Sequence, residues 1–500
     1  MKLNNENLSR LPARVQRPGY DRQSVRQGIV HIGVGGFHRS HQAVYTEQLL
    51  NQGHSSEWGI CGVGLRPEDR AMADALKSQD YLYTLYELAD RGNPGIRVIG
   101  AIGDFMLADD GREAVLARLA DPGTRIVSLT ITEGGYCTDD STGEFLAQRP
   151  EIQQDLANPG QPVTVFGFLT EALARRRARG IAPFTVMSCD NLPHNGKVAR
   201  NALLGFAALR DTGLRDWIAE QVSFPNGMVD RITPMTSPEH REQLRQETGI
   251  EDAWPVVAET FTQWVLEDKF CNGRPAWEQV GVQFTDDVTP YEEMKIGLLN
   301  GSHQALCYLG LLLGYRYAHE VMQDSQLKHY VRAYMDQDVT PVLAPVQGID
   351  LQTYKDTLIA RFSNTAISDQ LSRIAYDGSS RLPKFVLPFV QRQLEAGAPV
   401  QRSALILAAW CHYQQGVNEL GETYEVLDPR VDSVQPAARP GPDQVSRFLA
   451  LEEVFGRSLP QSSAFVEAFT EQLQRLQTLG VRKTLERVMA EGAQAQGAVV

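Results

Sequence analysis

The sequence predicts an α/β protein in which an N-terminal, Rossmann-like doubly wound domain is followed by a mostly α-helical C-terminal domain. Three observations carry this expectation. Short β-branched runs alternate with helical patterns through the first half, a glycine-rich turn follows the first of those runs, and from about Glu292 onward long helical patterns replace the β-rich runs. At 500 residues the chain exceeds what one hydrophobic core organises, which favours two domains.

The expected strands of the first half are Ile29–Ile32, 58–63, 126–132 and 184–188. Between the last two, residues 164–179 read as a helix. Phe168, Leu169, Ala172 and Leu173 share one face, Arg175, Arg176, Arg177 and Arg179 crowd the C-terminal turn, and Gly180 stops it. In the second half, 404–413 and 463–479 carry helical periodicity, and the proline-rich stretch 436–442 reads as a surface loop. We place the domains at 1–286 and 287–500, because the Thr289, Pro290 pair ends an extended segment there.

Composition narrows the function classes. Apolar residues are 42% and charged residues 22% of the chain, as expected of a globular protein with large cores. A net charge of −13 gives no electrostatic reason to expect nucleic acid or an anionic membrane as partner, and a small neutral substrate fits better. The longest apolar run, 305–313, falls far short of the roughly 20 residues that span a bilayer. The polar N-terminus lacks the apolar core of a secretion signal, so a cytoplasmic location is expected. The cysteines at 61, 137, 189, 271, 307 and 411 show no CxxC spacing, which suggests reduced thiols rather than a disulfide or zinc framework.

The first strand runs into Gly33, Gly35, Gly36 and Phe37, and a helical pattern follows from Gln42. Gly33 would permit the tight turn and Gly35 a close approach of backbone to a pyrophosphate, although His38 stands where the usual third glycine would. A tight glycine turn without a ligand fits the same residues. After the second strand come Arg66, Glu68 and Asp69. The acidic pair can accept hydrogen bonds from adenosine ribose hydroxyls and repel a 2′-phosphate, which favours NAD, whereas Arg66 would suit NADP. Glu133, at the end of a central strand, could border the nicotinamide or simply form a turn. His31, inside the first strand, reads as structural. With His38 and His41 it completes no tetrahedral ligand set, so no metal is expected.

Lys295, Asn300 and His303 lie on one helical pattern, with His303 and Asn300 about 80° and 140° around the axis from Lys295. Burial disfavours an ammonium, so such a lysine can act as general base toward an alcohol, while amides such as Asn300 and Asn191 stabilise the developing alkoxide. The same residues also fit a plain helix surface and core edge. Glu292, three residues before Lys295, could relay the proton to water or merely complement the helix dipole.

In these segments the sequence resembles the polyol-specific long-chain dehydrogenases and reductases. The resemblance spans nearly the whole chain and rests on 33–41 (GVGGFHRSH), 130–135 (TITEGG), 188–195 (SCDNLPHN), 224–234 and the helix carrying Lys295, Asn300 and His303. It implies a metal-independent, NAD-dependent and mostly monomeric enzyme, with mannitol and fructose as the expected pair. Lys295 would be the general base, Asn191 and Asn300 the oxyanion donors, and His303 a substrate contact. Asp230, Arg373 and Lys384 would also contact substrate, and Arg381 stands where relatives would carry lysine. Arabinitol 4-dehydrogenases and hexuronate reductases such as fructuronate reductase share the pattern, and the cations at 373, 381 and 384 would suit a sugar acid. A catalytically inactive nucleotide sensor is the reading from another class.

Overall fold

The computed structural model describes residues 1–89, 94–139 and 143–497. The chain forms two compact units, Met1–Thr289 and Pro290–Val500.

Among the described residues the first unit contains eleven strands: β1 (Ile29–Ile32), β2 (Ile60–Gly64), β3 (Tyr83–Leu88), β4 (Gly95–Ile99), β5 (Ile102–Leu107), β6 (Ile126–Leu129), β7 (Thr185–Ser188), β8 (Gly227–Asp230), β9 (Val256–Glu259), β10 (Gln263–Glu267) and β11 (Gln283–Thr285). Five of them form a parallel sheet in the order β5-β2-β1-β6-β7. Every residue of β1, β2, β6 and β7 is buried, as a sheet covered on both faces requires. Alternation along β1 sends Ile29 into one apolar core and Val30 and Ile32 into the other. Each fully buried aliphatic side chain contributes roughly 1.5–3 kcal/mol, so these two cores anchor the sheet edge from which functional loops project.

The expected β1 is the observed one. The others shorten: β2 begins at Ile60, β7 at Thr185, and β6 ends at Leu129 because 130–132 leave the ladder for a turn. The helix expected at 164–179 spans Val165–Ala178, with the Thr164 hydroxyl accepting from the Gly167 N–H and Gly180 left-handed beyond its end. Two further three-stranded sheets, β4-β3-β9 and β11-β10-β8, were not expected. Their strands mix polar and apolar residues without long β-branched runs, as in Tyr83–Leu88 (YTLYEL), so partners distant in sequence decide them.

The second unit has no named strand among its described residues. The helix Gln401–Tyr413 is buried along most of its length. The pattern read at 463–479 continues to Gly497 across a break at Gly480, where φ is 78°. Pro436 lies inside the helix Val431–Ala437 rather than in the loop expected at 436–442. Asp432 and Pro436 are both exposed, so water can satisfy the carbonyl that loses its donor.

Gly33 is a glycine this fold cannot exchange. Its φ is 90°, and a Cβ there would stand 2.1 Å from the Thr130 carbonyl oxygen, a fixed backbone atom. Gly33→Ala is expected to destabilise the protein by about 2 kcal/mol or more, read as a lower urea midpoint at unchanged m-value.

Candidate active site

In the parallel sheet the chain runs outward in opposite directions from β1 and from β6, so the switch point lies between their carboxyl ends. Such a crevice is where doubly wound sheets receive ligands. Gly33 closes one side and Thr130 the other, and the Thr130 hydroxyl donates to the Gly33 carbonyl at 2.7 Å. Gly35 is the extended N-cap of the helix Gly36–Ser40, with no side-chain bond to the first-turn N–H groups. Gly36 and Phe37 lie in that turn.

His31 sits beneath this turn, fully buried. Its Nε2 is 2.9 Å from Thr130 Oγ1 and its Nδ1 2.8 Å from Ser128 Oγ. Both ring nitrogens are therefore within hydrogen-bonding distance of a hydroxyl on β6 or just beyond it. Burial pushes the His31 pKa down to about 3, and the ring stacks on His38 with centroids 3.4 Å apart. A neutral, hydrogen-bonded imidazole is thus part of the turn's foundation. Among the described residues no three of His, Cys, Asp and Glu are grouped as metal ligands would be.

Beyond β6 the segment 131–136 is clamped from the neighbouring strand. Asp190, just after β7 and 8% exposed, accepts from the N–H groups of Ile131 and Thr132, each at 3.0 Å, and from the Tyr136 hydroxyl at 2.6 Å. Burial raises the Asp190 carboxyl above its ordinary value while these three donors oppose the rise. Thr132 has a φ of 60°, a conformation that costs a β-branched residue of order 1–3 kcal/mol. Glu133 lies in the one-turn helix Thr132–Gly135 that this segment forms, and is exposed. Asn191 follows Asp190 and is also exposed. Its loop is tied down by Asn195, whose Nδ2 donates to the Asp190 carbonyl at 3.0 Å and the Gly227 carbonyl at 2.8 Å.

After β2 the acidic pair divides its work. Asp69 turns back to accept from the Arg66 N–H at 3.0 Å and caps the turn Pro67–Asp69, whereas Glu68 and Arg66 are exposed. Asp230 ends β8 and is buried.

In the second unit Lys295 begins a π-helical segment, Lys295–Asn300, set between the α-helices Thr289–Met294 and Gly301–Leu312. This corrects the angles expected for a regular helix. A π-turn inserts one residue, so Asn300 stands to Lys295 as an i,i+4 neighbour would, at about 40° rather than 140°, and His303 at about 20° rather than 80°. The three share a stripe. Lys295 and Glu292 are buried, each 6% exposed, and the His303 ring lies 4.7 Å from that of Phe362. Glycines seat the segment: a Cβ on Gly297 would meet Val339 Cγ1 at 2.5 Å, and one on Gly301 would meet the Tyr334 hydroxyl at 2.5 Å. Tyr334 and Val339 themselves belong to a second π-helix, Tyr334–Val339.

With this geometry in place, comparison with known proteins is decisive. The mannitol dehydrogenase Rossmann domain matches residues 27–279, and the mannitol dehydrogenase C-terminal domain matches 287–477. The chain belongs to the mannitol dehydrogenase family. It is 47% identical to a mannitol 2-dehydrogenase of Phaeosphaeria nodorum, over 97% of this chain and 85% of that protein. To the structure of Pseudomonas fluorescens mannitol 2-dehydrogenase in ternary complex with NAD and D-mannitol it is 59% identical, with a TM-score of 0.86 over 98% of this chain and all of that one. To a D-sorbitol dehydrogenase in substrate-free form it is 43% identical, with a TM-score of 0.92 over 97% of this chain and all of that one.

Within this mannitol dehydrogenase fold the three cations expected near substrate have unequal surroundings. Arg373 is exposed and held bidentately by Asp369 at 2.6 and 2.7 Å. Arg381 donates to the carbonyls of Arg373 and Ile374, capping the short helix Leu371–Ala375. Lys384 is exposed, next to Phe385, whose carbonyl would lie 3.1 Å from a Cβ on Gly301. Sequence reasoning passed over Asp190 and Thr130. The available signal was position: both stand just beyond the carboxyl ends of parallel strands.

Removing the Asp69 cap should cost about 1 kcal/mol. Asp69→Ala is therefore expected to lower the melting temperature measurably, and Glu68→Ala to leave it within error in the same calorimetric scan.

Proposed function

We propose that this protein is an NAD-dependent, metal-independent mannitol 2-dehydrogenase that interconverts D-mannitol and D-fructose, a monomer of the cytoplasm. The observation that carries the reading is the 59% identity, over nearly the full chain, to the Pseudomonas fluorescens enzyme whose structure holds NAD and D-mannitol. The residues present fit the cofactor. The crevice beside Gly33 has no side chain on its tightest turn, the first-turn N–H groups after Gly35 have no side-chain cap, and Glu68 projects free of the capping role that Asp69 performs. NAD, when bound, accepts the hydride that leaves the alcohol carbon.

The chain's own residues then handle the proton and the charge. Lys295 takes the hydroxyl proton, Asn191 and Asn300 donate to the oxygen as it becomes an alkoxide, and His303 orients a neighbouring hydroxyl. Glu292, one turn before Lys295 and buried like it, passes the proton on toward water. Asp230, Arg373, Arg381 and Lys384 contribute substrate contacts, and Gly33, Gly35, Gly36, Phe37, Arg66, Glu68, Asp69 and Glu133 line the cofactor side. The 43% identity to a D-sorbitol dehydrogenase supports D-sorbitol as the second substrate to test. A panel of polyols and ketoses followed by nicotinamide absorbance decides between them, and a lack of turnover with any polyol overturns the reading.

Three outcomes are expected of the machinery. Lys295→Ala should lower the rate of mannitol oxidation by several orders of magnitude while NADH affinity is largely kept, and near-normal turnover would remove the lysine from the mechanism. The wild type should prefer NAD over NADP by about tenfold or more in kcat/KM, roughly 1.4 kcal/mol. Glu68→Lys should shift that preference toward NADP, because the carboxylate that repels a 2′-phosphate is replaced by a cation.

A further inference from the structure

We propose that Asp190 is a positioning residue for the nicotinamide side of the cofactor site: its carboxylate holds Thr132 in a left-handed conformation and so fixes the exposed turn 132–134 beside the switch-point crevice. The inference rests on the NAD reading above and adds to it a residue that touches neither cofactor nor substrate.

The geometry is that of a clamp. The carboxylate receives two successive backbone N–H groups, of Ile131 and Thr132, at the start of the segment and the Tyr136 hydroxyl at its end. All three donors belong to one stretch of six residues, more than fifty positions away in sequence. Tyr136 is buried at one end of that stretch and Arg149 donates to the Gly134 carbonyl at 3.3 Å, but neither contact bonds the N–H groups of Ile131 and Thr132 that the carboxylate receives. Thr132, Glu133 and Gly134 are exposed, and a Cβ built on Gly134 meets nothing within 4 Å. Thr132 nevertheless keeps a φ of 60°, which a β-branched side chain does not adopt unless the surroundings impose it. The clamp itself is anchored, since the Asp190 N–H donates to Ser188 Oγ at 3.3 Å and its carbonyl accepts from Asn195.

The segment is also coupled to the cofactor turn. Thr130, two residues before Thr132, donates to the Gly33 carbonyl, and its own carbonyl lies against the face of Gly33 that has no Cβ. A slack turn after β6 would therefore loosen the turn after β1. Asp190 steadies both from β7.

The test uses the full-length enzyme and reads the NADH dissociation constant by fluorescence titration. Asp190→Asn keeps the size of the side chain, removes the charge and turns an amide N–H toward one of the three donors. It is expected to weaken NADH binding by about tenfold or more. Thr132→Gly in that background makes the left-handed conformation unstrained, and the double variant is expected to recover to within about threefold of wild type. If Asp190→Asn does not yield folded protein, Tyr136→Phe, which removes one donor and leaves the two backbone bonds, carries the same comparison with and without Thr132→Gly at a smaller effect. Recovery of affinity by the glycine supports the clamp. A lower melting temperature with no recovery by glycine shows a general structural role and overturns the proposal, as does an Asp190→Asn enzyme that binds NADH like wild type. Failure of the wild type itself to bind NADH overturns the cofactor reading and this inference with it, which separates the two failures.

Discussion

The closest contact on which this site depends is between two backbones, Gly33 against the carbonyl of Thr130. The parallel register pairs Ile29 with Ile60 on one side and with Ile126 on the other, so residues 33 and 130 reach the carboxyl edge together. There is no room between them for even one methyl group. Everything placed around the crevice inherits this constraint: the direction in which the chain enters the helix Gly36–Ser40, the hydroxyl bridge from Thr130, and the point at which the 131–136 segment turns away.

Beneath that contact the unit keeps polar groups buried, which is stabilising only when each finds a partner. His31 meets the condition with both nitrogens occupied and its charge suppressed by burial. Asp190 meets it by gathering three donors around one carboxylate. The two solutions differ in what they transmit. The imidazole is neutral and fixes the orientation of a hydroxyl, whereas the carboxylate holds backbone in a conformation that its own residues disfavour. Strain of that kind is kept where a loop must present a defined edge to a ligand.

The second unit uses insertion rather than strain. A π-turn at Lys295–Asn300 adds a residue to the helix, and the addition brings the lysine, the asparagine and the histidine into one stripe. The two glycines of this region, Gly297 and Gly301, admit Val339 and the Tyr334 ring from the second π-helix at distances that any side chain would forbid. Close packing of two such segments is a physical reason for the irregular geometry to persist, since a regular helix would rotate these glycines away from their neighbours.

Much was legible in the sequence because it is written locally. Hydrophobic runs bounded by glycine and proline mark β1 and the strands beside it, and the Thr164 and Gly180 caps bound a helix, since each of these depends on residues a few positions apart. Local periodicity could not show that the helix at Lys295 gains a π-turn, because its cause is packing against Tyr334 and Val339, some forty residues later. Nor could it separate Glu68 from Asp69, which differ only in which one turns back to the Arg66 N–H. The sheets β4-β3-β9 and β11-β10-β8 and the grip of Asp190 on Thr132 are equally beyond it. These features join segments distant along the chain, and only the folded backbone sets which donors, acceptors and surfaces those segments present to one another.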